Sequence, residues 1–202
     1  DFVEKILVKK LKSRKIFVGS DFKFGKNRSG NVRFLKEKSK IYNFEVKEIK
    51  KISLEGKRIS SSLIRKLIKD GKIKKANKFL GYNYFIRGRV IKGKKIGRIL
   101  SFPTANLSIS PDKLLPKDGV YAGYVYLPDN KKYLSAINIG FAPTFNKRQR
   151  NVEAYLLNFK GNLYGRNLKI ELLERIRGEK KFKDEKQLIQ QIKKDIEKIK
   201  NL

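Results

Sequence analysis

Hydrophobic residues change their spacing once along this chain. Up to about residue 80 they recur mainly at helical intervals, and beyond it they alternate in short runs, as strands do. The stretch VEKILVKKL, residues 3–11, places Val3, Ile6, Leu7 and Leu11 on one helical face. Residues 16–18, Ile-Phe-Val, read as a buried strand running into the glycine-bounded loop GSDFKFGKNRSGN, and IYNFEVKEI, residues 41–49, alternates as a second strand. A strand ending at Gly19 and Asp21 is the kind of place where open α/β sheets bind ligands. Ser60, Ser61 and Ser62 then precede a helix with Leu63, Ile64, Leu67 and Ile68 inward, and Gly71 is its stop.

From residue 82 the strand pattern takes over. Residues 84–91, 120–127, 133–139, 152–159 and 168–176 are rich in β-branched and aromatic side chains, with turn sequences Pro-Asp-Asn at 128–130 and Lys-Gly-Asn at 160–162. This spacing predicts an antiparallel barrel or sandwich. Residues 184–200 return to helical spacing, with Leu188, Ile189, Ile192, Ile196 and Ile199 on one stripe. The expected organisation is two domains, residues 1–81 and 82–202, the second a barrel with one helix packed on it.

Composition narrows the chemistry. The chain has 202 residues, 40% of them hydrophobic, which fits a globular protein with one good core or two small ones. It has no Cys and no His, so disulfides, thiolate chemistry, the usual general base and the usual transition-metal ligand are all removed. A net charge of +32 invites a nucleic-acid reading. The 38 Lys and 13 Arg are dispersed, however, and only residues 99–112 and 118–130 break the spread. Scattered lysine describes a solvated surface better than a binding stripe, so a basic β-barrel that binds RNA or DNA without catalysis stands as the second reading. No apolar run approaches a membrane span and the first residues lack the shape of a secretory signal, so a cytoplasmic protein is expected. Met is absent even at position 1, and the expectation is a chain that starts inside a longer natural one. No feature of the sequence specifies an oligomer.

Candidate chemistry gathers in GRILSFPTANL, residues 97–107. Gly97 lets backbone approach a phosphate, and Arg98 can fork onto phosphate oxygens. Pro103 fixes its own φ and pushes Phe102 into an extended conformation, so Thr104 and Asn106 stand two apart on one side of a stiffened backbone. Their oxygens suit one hard cation, with phosphates and waters filling the other positions Mg²⁺ demands. The plainer alternative is a Pro-Thr loop followed by a turn asparagine. Upstream, Gly93 and Gly97 bracket Lys94 and Lys95 in a turn able to cradle phosphates, although it is not a Walker A loop. Without His, accepting a hydroxyl proton falls to a carboxylate on a rigid element, and RNVEAYLLNF offers Glu153. Alternation puts Glu153 with Tyr155 and Leu157 on one face, which either lines a site or leaves an ordinary exposed acid. The serine-led helix with Arg65 one turn in is likewise an anion site or a plain N-cap.

The ordered motifs GRILSFPTAN, AINIGFAPTF, VEAYLLNFKGNLYG and ERIRGEKKF together resemble the riboflavin kinase family, including the kinase module of bacterial bifunctional riboflavin kinase/FAD synthetases. The resemblance covers residues 82–202 and implies an antiparallel β-barrel that phosphorylates riboflavin at the ribityl 5′-hydroxyl to give FMN, using ATP and Mg²⁺. On it, Glu153 is the catalytic base and Thr104 and Asn106 are the metal ligands. Gly93, Gly97, Arg98 and Pro103 belong to the ATP site, and Arg177, Glu179 and Phe182 to a flavin-covering loop. The plain alternative for that last segment is a charged loop leading into the final helix. The sequence departs from the family at Tyr155 and Asn158, more often His and Asp, and at Ser101, commonly Gly. A module that binds flavin without turnover is a further alternative. In the first domain, GSDFKFGKNRSGN and ISSSLIR resemble the second half of the FMN adenylyltransferase module, a Rossmann-like α/β nucleotidyltransferase. There Ser60, Ser61, Ser62 and Arg65 fall on the ATP-binding motif. The family's upstream histidine-containing motif has no counterpart here, so the resemblance implies a truncated, catalytically silent adenylyltransferase remnant, in a parent that would also convert FMN to FAD.

Overall fold

The computed structural model describes residues 2–93, 97, 100–141 and 150–202. The chain forms two compact units, Asp1–Ile59 and Ser60–Leu202.

In the first unit, strands β1 (Lys15–Gly19) and β2 (Glu45–Ile49) pair in parallel, Lys15 opposite Glu45 and Gly19 opposite Ile49. Parallel neighbours need a crossover, and helix α1 (Val32–Tyr42) supplies it, making a βαβ unit. The Asn31 side chain caps α1 by accepting the Phe34 N–H at 2.9 Å, and Asn43, at φ 54°, ends it. Val3, Val18, Val32, Leu35 and Phe44 form the core. Two local expectations fail here. The segment Phe2–Lys10 is a π-helix, with bonds such as Leu11 N–H to Ile6 O at 2.9 Å. Its wider winding rotates the positions that 3.6-residue spacing would align, leaving Val3 buried but Ile6 and Leu11 exposed. Nor do residues 41–49 form one strand, because Ile41 and Tyr42 complete α1 and the chain turns at Asn43 before β2 begins.

The second unit opens with helices α2 (Ser61–Lys69) and α3 (Ile73–Leu80). Ser60 caps α2, its hydroxyl accepting the Leu63 N–H at 3.2 Å, and Gly71, at φ 73°, follows its end as the sequence predicts. Six strands then close a barrel: β3 (Phe85–Ile91), β4 (Ala105–Ile109), β5 (Gly119–Tyr126), β6 (Lys132–Phe141), β7 (Arg150–Leu156) and β8 (Asn167–Arg177). The order around it is β6-β7-β4-β3-β8-β5, every pair antiparallel. Alternate residues such as Ile86, Tyr121, Ile137, Val152, Ala154 and Ile170 fill the interior and are fully buried. Five strands appear where their β-branched runs predict. The sixth, β4, grows out of the FPTAN segment and offers only Ala105 and Leu107 to the core.

The helices are tied to the barrel by Asn77, which donates to the Leu172 carbonyl at 2.8 Å and accepts the Tyr84 N–H at 2.8 Å. Helix α4 (Glu185–Lys200), capped by Asp184, packs on β6 and β8. It carries Asp195, only 5% exposed, which accepts from Arg177 Nε at 2.8 Å and from Gln191 Nε2 at 2.8 Å. Removing one partner of such a pair strands a desolvated charge. We therefore expect Asp195→Ala to lower unfolding free energy by about 3 kcal/mol, and Asp195→Asn by less. A urea midpoint for the alanine variant equal to that of the parent would show that the pair does not hold the helix down.

Candidate active site

Closure of the barrel sets one carboxylate into a row of outward-facing residues. Alternation along β7 buries Val152, Ala154 and Leu156 inside and leaves Asn151, Glu153 and Tyr155 on the outer face. Glu153 pairs with Asn106 of β4 on one side and with Asn138 of β6 on the other. Directly opposed residues in antiparallel strands hold their Cβ atoms roughly 4.5–5.5 Å apart, so the acid is flanked by two carboxamides. Thr104, just ahead of β4, donates its hydroxyl to Glu153 Oε2 at 3.3 Å. Burial pushes the Glu153 carboxyl above its ordinary range, and the Thr104 hydrogen bond draws it part of the way back.

Two glycines bring the preceding segment against this row. A Cβ on Gly93 would lie 2.8 Å from Asn106 Oδ1, and one on Gly97 would lie 3.2 Å from Thr104 Oγ1 and strike the Phe102 carbonyl. Both positions therefore demand glycine by close approach. The Gly97 carbonyl accepts the Phe102 N–H at 2.7 Å, and Phe102 meets Tyr155 edge-on with ring centroids 5.5 Å apart. Between them Ser101 adopts φ 66°, a left-handed conformation that glycine takes without strain. Arg98, with Lys94 and Lys95, lies outside the described residues, as does the Ala-Pro-Thr-Phe end of AINIGFAPTF.

A cavity of about 590 Å³ opens beside these groups, bounded by Gly93, Pro103, Thr104 and Asn106 and, across it, by Lys160 and Tyr164 of the turn after β7. Its size and its lining of glycine backbone, hydroxyl, carboxamide and lysine suit a polyphosphate-bearing ligand. Among the described residues no three His, Cys, Asp or Glu side chains cluster as metal ligands. A cation at this row would be held by neutral oxygens and by the ligand's own phosphates. Thr104 fits that task, because a hydroxyl that donates its proton to Glu153 keeps lone pairs for a metal.

The other sequence-predicted residues lie apart from this group. Arg177 is engaged by Asp195, and its guanidinium sits 5.8 Å from the Phe182 ring centroid. Glu179 packs over Gly140 and, with Arg65 of α2, lines a larger cavity of about 1110 Å³. Ser60 is used as the α2 cap, and Ser61 and Ser62 are exposed. Sequence reading missed Asn138 as a partner of Glu153, although a polar residue between Ile137 and Ile139 was a signal. It also read residues 160–162 only as a turn, where the structure makes them a cavity wall.

Comparison with known proteins agrees with this architecture. Residues 80–202 match the riboflavin kinase family, and residues 1–63 match FAD synthetase. The bifunctional riboflavin kinase/FMN adenylyltransferase of Buchnera aphidicola subsp. Schizaphis graminum is 43% identical over 98% of this chain and 64% of its own length. The protein of the same name from Haemophilus influenzae is 38% identical over 97% of this chain and 63% of its own. The chain thus spans a little under two thirds of the relatives it matches. A Streptococcus pneumoniae crystal structure titled as a macrolide-efflux protein superposes with a TM-score of 0.89 and 32% identity, over the whole chain and 64% of that protein. A match spanning more than half of the chain, together with a closed six-stranded barrel that carries a C-terminal helix, makes it a member of the riboflavin kinase family.

Proposed function

We infer that this chain transfers the γ-phosphoryl group of ATP to the 5′-hydroxyl of riboflavin, giving FMN. The observation that carries the reading is the Thr104–Glu153 hydrogen bond at 3.3 Å, with Asn106 paired opposite Glu153 and a cavity of polyphosphate size alongside. The Glu153 carboxylate, partly desolvated, accepts the proton of the attacking alcohol and orients its oxygen. Thr104 fixes which way that carboxylate points. Thr104 and Asn106 are the residues that would hold Mg²⁺, and the amide of Asn106 is backed by Gly93. Bound there, Mg²⁺ supplies neutralisation of the polyphosphate charge that builds during transfer. Gly93, Gly97, Arg98 and Pro103 are assigned to the nucleotide, and Glu179 and Phe182 to the flavin, with Arg177 positioning Phe182 from its anchorage on Asp195. Residues 82–202 are the kinase module and residues 1–81 belong with the adenylyltransferase module. The cytoplasm is its place of work, and no helix among the described residues is long and apolar enough to cross a membrane.

Incubation with riboflavin, ATP and Mg²⁺, read by chromatography, is expected to yield FMN without FAD, and no FMN would overturn the reading. Glu153→Gln is expected to lower kcat by roughly 10²–10⁴-fold with riboflavin binding retained. Full turnover in that variant would remove Glu153 from the reaction. The pH dependence follows from the shift. A base acts only when ionised, so kcat/KM is lost as pH falls through the raised Glu153 pKa, above the usual carboxylate range. Thr104→Ala removes the one contact that lowers this pKa, so the acidic limb moves to higher pH and the Mg²⁺ requirement rises. An unmoved limb with an unaltered Mg²⁺ titration would take Thr104 out of both roles.

A further inference from the structure

The larger cavity, about 1110 Å³, shares no lining residue with the one at Thr104. One wall is the connection from β4 to β5, and residues 114–118 of it are held in an unusual way. Five consecutive carbonyls are each taken by a side-chain donor. Tyr84 donates to Leu114 O at 2.6 Å, Arg150 to Leu115 O at 3.3 Å and also to Pro116 O, Tyr121 to Lys117 O, and Arg175 to Asp118 O at 2.6 Å. Every acceptor of this wall is therefore occupied, while the N–H groups of Leu115 and Lys117 have no partner among the described residues. The wall is left short of acceptors and rich in donors.

The charges around it have the same sense. Arg65 and Lys69, one turn apart on α2, and Lys117 are exposed at the rim, and none has a carboxylate partner among the described residues. Arg150 and Arg175 are half-buried, and the Nε–H of each is buried without an acceptor. Gly71 and Gly119 leave the room Arg175 needs, since a Cβ on either would come within 3.1 Å of its Nε. Three acids also line the cavity, but Asp118 is already paired with Arg150, leaving Asp112 and Glu179. Dispersed surface lysine does not account for this, because three of the six cationic side chains are Arg, in a chain where Arg is 13 of 51.

We propose that this cavity is a second ligand site, which takes the phosphomonoester group of a small molecule through Arg65, Lys69, Lys117 and Arg175. Such a group carries nearly two negative charges and three acceptor oxygens at neutral pH, and so matches a donor-only wall with forked guanidinium groups. The helix that the sequence links to adenylyl transfer thereby contributes its arginine to a cavity of the barrel unit. The phosphate source is either the flavin product of the kinase reaction or free phosphate, and the choice of the first probe rests on the kinase reading.

The test is direct binding to the intact chain without ATP, following FMN and riboflavin by flavin fluorescence, with inorganic phosphate and ADP as competitors. FMN is expected to bind about tenfold more tightly than riboflavin, the scale of one or two charge-assisted hydrogen bonds. The double variant Arg65→Ala/Lys69→Ala, altered only at exposed helix positions, is expected to abolish that difference, and circular dichroism checks its fold. Inorganic phosphate that competes as strongly as FMN binds identifies a general phosphate site, and weaker competition identifies the flavin product as the ligand. ADP is expected to leave the FMN–riboflavin difference in place. Equal affinity for FMN and riboflavin, a difference that survives the double variant, one erased by ADP, or no flavin binding at all would each overturn the proposal. Turnover measured in parallel keeps the two readings separate. FMN formation without an Arg65-dependent preference sinks only this site, while the preference without turnover sinks only the kinase.

Discussion

The site depends on the register of β7 between β4 and β6. A strand slipped by one residue would turn Glu153 into the barrel and put Val152 or Ala154 outside, an exchange the apolar interior forbids. Burial of those small β-branched and methyl side chains therefore holds a carboxylate on the opposite face, between Asn106 and Asn138. Hydrophobic packing does not touch the reacting atoms. It fixes them by excluding every other register.

A barrel this small has no room for a ligand inside, since side chains such as Tyr121 and Ile137 fill it. Chemistry must be done on the outer surface, where a carboxylate would ordinarily be solvated and its pKa unremarkable. Here the segment ahead of β4 partly covers the row, and the glycines are what let it approach. Desolvation of Glu153 is thus a product of chain crossings at Gly93 and Gly97, and the Thr104 hydroxyl moderates it. The same surface logic applies at the larger cavity. There the wall is made from a connection whose carbonyls are consumed by Tyr and Arg side chains from β3, β5, β7 and β8. Arg150 is shared between structure and chemistry, because it clamps that connection from the first position of the strand that carries Glu153.

Several of these features could be read before any fold was known. Alternating β-branched residues gave five of the six barrel strands, and the stripe from Leu188 to Ile199 gave the last helix, because a pleated surface and an amphipathic helix leave different periods in sequence. Ser60 and Gly71 marked the limits of α2 through backbone needs that are local. Reading failed where the local signal was ambiguous. The π-helical winding of Phe2–Lys10 leaves no mark in a 3.6-residue count, and Ile41 and Tyr42 continue the alternation of a strand they do not belong to.

The sequence by itself determined which residues had the right chemistry: a proline-stiffened Thr and Asn, glycines ahead of them, and an acid on a strand in a chain without histidine. These are properties of residue type and near-neighbour spacing, which a linear string records. Only the tertiary structure decided that Asn138 stands on the far side of Glu153, that Arg177 is held by Asp195, and that Arg65 faces a cavity of the barrel unit. Each of those facts joins residues far apart in sequence, and pairing at that range is set by barrel closure and packing, which no local period encodes.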